Sequence, residues 1–268
     1  MKPLQDTTDF TFATAVDAII CEEMAGFGRS MPEGELHETA ELTWLYTGVP
    51  ILNAVLQTHI LDNDERTISA YIDRMSRYFT ERNTGFAWVL GAATRPVHFA
   101  HFLKRRRFVH LVNKSCMALN LSEFARDEPT PEGLTIQKAQ DAESLAPLQK
   151  IEQQGFGNPP DIAALYYKKY LYEGFNASWH HYIGYQHGEP VAITSLLLHA
   201  GLAGIFGVAT LPEARRQGIA TAMVRHALHE AHRFGYQYAV LSPTSMSEKI
   251  YRRLGFRDYS TISIWKSS

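Results

Sequence analysis

Downstream of residue 133 the hydrophobic pattern is regular. Leu134-Thr135-Ile136-Gln137-Lys138 alternates as a half-buried strand does. Asp141 caps a predicted helix running to about Glu152, with Leu145, Leu148 and Ile151 on one face. The stretch Gly155-Phe156-Gly157-Asn158-Pro159-Pro160 reads as a loop before a helix from Asp161 to Tyr172. Three strands follow, at Trp179–Tyr185, Val191–Leu198 and Leu202–Ala209, joined by turns at residues 186–190 and 199–201. Ile219, Met223, Ala227 and Ala231 repeat every four residues in a helix from Gly218 to Phe234, which Gly235 stops. A strand at Tyr236–Leu241, a helix at Ser245–Leu254 and a strand at Phe256–Trp265 complete the order β-α-α-β-β-β-α-β-α-β. That order implies an α/β (α+β) fold with helices packed on a mixed sheet.

The upstream pattern is weaker. Thr14–Met24 and Glu35–Trp44 read as partly helical, Pro50–Ile60 as a strand and Asp64–Glu81 as a helix. Phe86–Leu90 reads as a strand, Pro96–Leu103 as a helix, and Phe108–Leu121 as one or two strands. Between the halves, Arg126-Asp127-Glu128-Pro129-Thr130-Pro131-Glu132-Gly133 is charged and rich in chain-breaking residues. The expected division is a domain at 1–125, a linker at 126–133 and a domain at 134–268. A faint internal repeat sets Ala87-Trp88-Val89-Leu90, a helix and Arg107-Phe108 beside Tyr238-Ala239-Val240-Leu241, a helix and Gly255-Phe256.

Composition narrows the function classes. With 268 residues, 45% of them hydrophobic, either half can bury a core. A formal net charge of -2 gives no electrostatic reason to expect nucleic acid, and Lys104-Arg105-Arg106-Arg107 suits a solvated helix end. The two cysteines, Cys21 and Cys116, sit among apolar residues with no metal-ligand spacing. The expectation is a reducing, cytoplasmic setting with no metal, no signal peptide and no membrane span.

The informative stretch is Val208-Ala209-Thr210-Leu211-Pro212-Glu213-Ala214-Arg215-Arg216-Gln217-Gly218-Ile219-Ala220-Thr221. A strand feeds a loop that opens a helix. The first turn of a helix presents unpaired N–H groups and a partial positive charge, which suits phosphate. Gly218 lets an anion approach the backbone, Arg215 and Arg216 add charge, and Gln217 adds a donor. The loop is neither a Walker A sequence nor GxGxxG. Some thirty residues on, Ile250-Tyr251-Arg252-Arg253-Leu254-Gly255-Phe256 places a phenol near a helix end, with Gly255 to stop the helix and Phe256 to enter the core.

These two motifs, in this order, resemble those of the GNAT acetyltransferase superfamily, over about 130 residues from Leu134 to Ser268. The resemblance implies a mixed, mostly antiparallel sheet flanked by helices. It implies acetyl-coenzyme A as acyl donor, held by the backbone of Arg215, Arg216, Gln217, Gly218, Ile219, Ala220 and Thr221, with its pantetheine arm paired to Val208, Ala209 and Thr210. It further implies that Tyr251 protonates the leaving thiolate and that the acceptor is an amine, on a small molecule or a peptide. The strand Leu202–Gly207 lacks the acidic residue that some family members carry there. The base is therefore open among Glu152, His180, His181, His199 and a water chain. A non-catalytic acyl-CoA sensor or docking module is the rival reading.

The sequence Trp44-Leu45-Tyr46-Thr47-Gly48-Val49-Pro50, with Met117–Leu121, resembles the leading domain of tandem GNAT proteins. The upstream half is then a degenerate copy, two similar domains standing in tandem. Its counterpart to the phosphate loop, Leu61–Ile68, is acidic and lacks glycine, so it is expected not to bind the coenzyme.

Overall fold

The computed structural model describes residues 9–124, 130–175 and 178–267. Part of the expected linker, residues 126–129, lies outside them. The chain forms two units, residues 9–116 with 260–267, and residues 117–259. This division differs from a boundary at 126–133, and the reason is burial. Met117, Leu119 and Leu121 lie in the core of the downstream unit, against Ala239, Leu241 and Leu254 among others.

In the first unit the order is α1 (Asp9–Ser30), β1 (Glu35–Glu38), β2 (Leu42–Tyr46), β3 (Ala54–Thr58), α2 (Glu65–Thr80), β4 (Ala87–Leu90) and α3 (Phe99–Arg105), followed by β5 (Val109–Asn120). Two expectations need correction. Residues 35–46 are an antiparallel hairpin of β1 and β2, not a helix. Thr39 makes the turn, its hydroxyl accepting from the backbone N–H of Leu42 at 3.0 Å and of Glu41 at 3.3 Å. The expected strand at Pro50–Ile60 begins only at Ala54, because Pro50–Leu52 forms a 3-10 turn. Helix α1 also runs further than its apolar pattern suggests. It continues through Gly28, where the missing side chain lets it approach β1: a Cβ there would lie 3.0 Å from the Glu35 carbonyl oxygen.

The downstream unit holds β6 (Leu134–Lys138), α4 (Ala142–Leu145), α5 (Pro147–Phe156), α6 (Pro160–Glu173), β7 (Trp179–Gln186), β8 (Glu189–His199), β9 (Leu202–Thr210), α7 (Ile219–Arg233), β10 (Tyr238–Leu241) and α8 (Glu248–Arg253), with β11 (Arg257–Lys266) following. The helix predicted from Asp141 is split at Ala146, because Pro147 cannot continue the hydrogen-bonded ladder and instead starts α5. Helix α5 runs through the predicted loop at Gly155 and stops at Gly157, which is left-handed.

Within each unit the strands pair mostly antiparallel, with one parallel pair. In the first unit the order is β1-β2-β3-β4-β11, with β3 parallel to β4 and joined to it through α2. In the second it is β5-β10-β9-β8-β7-β6, with β9 parallel to β10 and joined to it through α7. The faint sequence repeat falls on the segments that follow these two crossovers, β4-α3-β5 and β10-α8-β11. The outer partner of each parallel pair comes from the other part of the chain. Residues 117–120 of β5 pair with β10, and residues 263–266 of β11 pair with β4.

Helix α7 is held on its sheet by Ile219, Met223, Val224, Ala227, Leu228 and Ala231, all buried with Leu134, Tyr182 and Ala192. Each large apolar side chain so buried contributes roughly 1.5–3 kcal/mol relative to exposure. That packing fixes where the N-terminus of α7 points.

Candidate functional site

Strand β9 leads into a 3-10 turn, Pro212–Ala214, and four residues, 215–218, separate that turn from α7. Two residues of this connection have positive φ, Arg216 at 62° and Gly218 at 81°. Gly218 is the N-cap, and no side chain caps the helix. The equivalent junction in the first unit is built differently. There the Asp64 carboxylate accepts from the backbone N–H of Arg66 and Thr67 at 3.0 and 3.1 Å, closing the N-terminus of α2. One crossover satisfies its first-turn donors internally. The other presents them.

A groove of about 690 Å³ opens at this uncapped end. Gln217, Gly218, Thr221, Ala222, Arg225 and His229 line it along one ridge of α7, and Ile250, Arg253 and Leu254 line it from α8. Thr130 and Pro131 form its rim, with Pro131 Cγ 3.5 Å from where a Gly218 Cβ would stand. The lining includes two arginines and no carboxylate. Arg225 is buried, its guanidinium 5.3 Å from the centre of the Phe124 ring. A helix N-terminus, two cations and apolar walls suit an anion carried on a larger, partly apolar molecule.

The loop is tied down by its own side chains. Arg215 donates to the carbonyl oxygens of Thr210, at 3.1 Å, and Gly155, at 2.7 Å. Gln217 accepts from Gln186 at 2.7 Å. Neither the Arg215 fork nor the Gln217 carbonyl is therefore aimed solely at a ligand.

Strand β9 is distorted where it approaches the loop. Its register with β10 is confined to Ala203 and Gly204. On its other edge, Ile193 faces Ala209 and Ser195 faces Phe206, so Thr194 alone opposes Gly207 and Val208. This bulge rests on Gly207, at φ 57°. Past Gly204, the edge of β9 toward β10 is open along Val208, Ala209 and Thr210. Thr210 Oγ1 is buried without a hydrogen-bond partner.

Tyr251 lies on α8, between the groove-lining Ile250 and Arg253, and is itself buried against Phe256. Burial raises its pKa above the ordinary phenol value, and a hydrogen bond from Ser247 partly opposes the shift. The remaining sequence candidates lie elsewhere in the unit. Glu152 is buried on α5, with Asn158 Nδ2 3.4 Å from its Oε1. His199 is half-buried at the β8–β9 turn, opposite Leu202. His180 is buried and stacks on Phe234 at 4.8 Å, and burial, reinforced by Lys138, pushes its pKa down to about 4. His181 faces the other side of the sheet. Burial, reinforced by Lys169, pushes its pKa down to about 3.

The structure thus gathers Gln217, Gly218 and Thr221 at the groove, and ties Arg215 to Thr210 in the loop that precedes it. Glu152, His180, His199 and Tyr251 are not part of the groove lining. Sequence reasoning missed Arg225 and His229, which follow Gly218 at seven and eleven residues on the same helical ridge. Among the described residues no group of histidine, cysteine and carboxylate side chains is placed to hold a metal ion. Nor, among the described residues, is any helix long and apolar enough to cross a membrane.

Residues 198–258 match the family described as the acetyltransferase (GNAT) domain. None of the curated proteins compared with the chain is similar in sequence. Among solved structures, a GCN5-related N-acetyltransferase from Kribbella flavida is 19% identical, with 92% of this chain and 94% of that one aligned and a TM-score of 0.72. A GCN5-related N-acetyltransferase from Sphaerobacter thermophilus is 16% identical over 80% and 71% of the two chains, TM-score 0.62. A tandem GNAT protein from the clavulanic acid biosynthesis pathway is 15% identical over 84% and 77%, TM-score 0.63. At these identities the structural likeness establishes the fold.

Proposed function

We propose that this chain is an acetyltransferase of the GNAT superfamily, and that its downstream unit binds acetyl-coenzyme A at the β9–α7 junction and transfers the acetyl group to an amine. The observation that carries this reading is the uncapped N-terminus of α7 behind Gly218, opening on a groove with two arginines and no carboxylate.

The residues present fit the coenzyme. Backbone N–H groups of Ile219, Ala220 and Thr221 would hold its pyrophosphate, and Arg225 and Arg253 would add positive charge along the groove. The open edge of β9 at Val208, Ala209 and Thr210 would pair with its amide-bearing arm. When bound, it supplies an activated acyl thioester. The acceptor is a small-molecule or peptide amine.

Tyr251 is assigned as the acid. Its raised pKa keeps the phenol protonated through neutral pH, as a donor to a leaving thiolate must be. For the base, burial leaves His180 and His181 weakly basic, so Glu152 and His199 are the better candidates from this chain. Titration calorimetry with acetyl-coenzyme A tests the binding step, and micromolar affinity is expected. Thiol release against polyamine, aminoglycoside and peptide amines then tests transfer. No binding would overturn the reading. Binding without transfer to any amine would leave the non-catalytic sensor.

A further inference from the structure

His181, Ser195 and Phe206 face one another on three neighbouring strands, β7, β8 and β9. His181 is fully buried, and its Nδ1 lies 2.8 Å from Oγ of Ser195, which is 1% exposed. Tyr170 and Trp179 pack on the imidazole, with ring centroids at 4.5 and 5.6 Å. Its Nε2 is buried without a hydrogen-bond partner. A half-satisfied polar pair inside an aromatic shell costs stability that an all-apolar core would not lose.

The location of the pair gives it a use. Gly207 follows Phe206 in the β9 bulge. A Cβ built on it would stand 3.7 Å from Ser195 Oγ and 3.2 Å from the Tyr170 hydroxyl. Two hydroxyls therefore border the space over the Gly207 α-carbon. Resting on the coenzyme reading above, an arm that starts at Gly218 and runs back along Thr210, Ala209 and Val208 delivers its acyl end to Gly207.

We propose that Ser195, held by His181, donates a hydrogen bond to the acyl carbonyl oxygen of the bound thioester. Burial keeps His181 neutral, and its Nδ1–H donates to Ser195 Oγ, which frees the Ser195 O–H to point at the carbonyl. His181 is a positioning residue and Ser195 a catalytic one. No bond or proton is exchanged at Ser195. As the amine attacks, negative charge grows on the carbonyl oxygen and the hydrogen bond strengthens. Loss of one such donor lowers turnover about 10²–10³-fold.

The test uses the full chain and acetyl-coenzyme A carrying carbon-13 at the acetyl carbonyl. Binding to the wild type should move that resonance downfield. Ser195→Ala should weaken acetyl-coenzyme A binding by no more than about tenfold, the worth of one neutral hydrogen bond, and lose most of the shift. Ser195→Thr, which keeps the hydroxyl, should retain it. Should the alanine variant not fold, Ser195→Cys, with similar volume and a weak donor, carries the same expectation. An equal shift in wild type and variant overturns this inference and leaves the coenzyme reading standing. Loss of affinity for coenzyme A itself, which has no acyl carbonyl to meet, also overturns it, assigning Ser195 to the scaffold. Absence of binding by the wild type overturns the coenzyme reading, and this inference with it.

Discussion

Arg215 and Gly155 meet across sixty residues of sequence, the guanidinium donating to the Gly155 carbonyl at 2.7 Å while also reaching Thr210. The contact fixes the loop between β9 and α7 to helix α5. Arg215→Ala should therefore loosen coenzyme binding through loop disorder rather than through lost phosphate contact. A charge-assisted hydrogen bond at a solvent-facing site supports a rise of about three- to tenfold in the dissociation constant. Calorimetry at two salt concentrations separates the causes. A disordered loop leaves the salt dependence near that of the wild type, whereas loss of a phosphate contact flattens it.

Gly218→Ala probes the backbone. There is room for the methyl group, with Pro131 Cγ at 3.5 Å, but φ of 81° is strained for any residue with a Cβ. The expected cost is about 1–2 kcal/mol in unfolding free energy, read by thermal or urea denaturation, together with weaker coenzyme binding. Unchanged stability would mean that Gly218 is not held in this conformation.

Tyr251→Phe removes the phenol and keeps the ring against Phe256. Under the acid role, kcat should fall about 10²–10⁴-fold with coenzyme affinity nearly unchanged. The raised pKa of Tyr251 predicts that wild-type turnover holds on the alkaline side beyond the ordinary phenol range. Equal turnover by the phenylalanine variant would remove Tyr251 from the chemistry.

Asp17 gives the first unit a dependence on pH. Its carboxylate accepts from the backbone N–H of Ala92 and Ala93 at 3.2 and 2.8 Å, yet burial dominates and raises its pKa from 3.8 to about 6. The folded state therefore binds this proton more tightly than the unfolded chain does. The stabilisation is complete below about pH 4 and is lost as pH rises through about 6, on the order of 3 kcal/mol in all. Urea unfolding of the wild type and Asp17→Asn at pH 4 and pH 7 measures it, and the difference between the two proteins should change by that amount. A constant difference would contradict the assignment.

The legible parts of the sequence were those where one local rule dominated. Gly255, at φ 97°, is legible as a helix stop from its place in the pattern, whereas Gly218 is legible as a point of close approach for an anion and its φ of 81° is not. The mixed sheet flanked by helices, with two similar units, followed from the order of elements and the resemblance. The hairpin at 35–46 was misread because its turn carries neither glycine nor proline. The Thr39 side chain does that work through hydrogen bonds that leave no distinctive residue pair behind. The groove was half legible. Arg225 and His229 share a helical ridge with Gly218, but Arg253 and Pro131 arrive through tertiary packing that no periodicity encodes. The His181–Ser195 pair depends on the register of β7 on β8, and its place beside Gly207 on the bulge between β8 and β9.

The crossed strands also order events in time. Strand β4 of the first unit takes residues 263–266 as its neighbour, about 170 positions later in the chain. On the ribosome the first unit therefore cannot complete its sheet when its own residues emerge, and the β4 edge stays open while the whole of the second unit is being made. Folding of this chain departs from the usual order in which the leading domain matures first, and the open edge of β4 is the point at which a nascent chain would need protection.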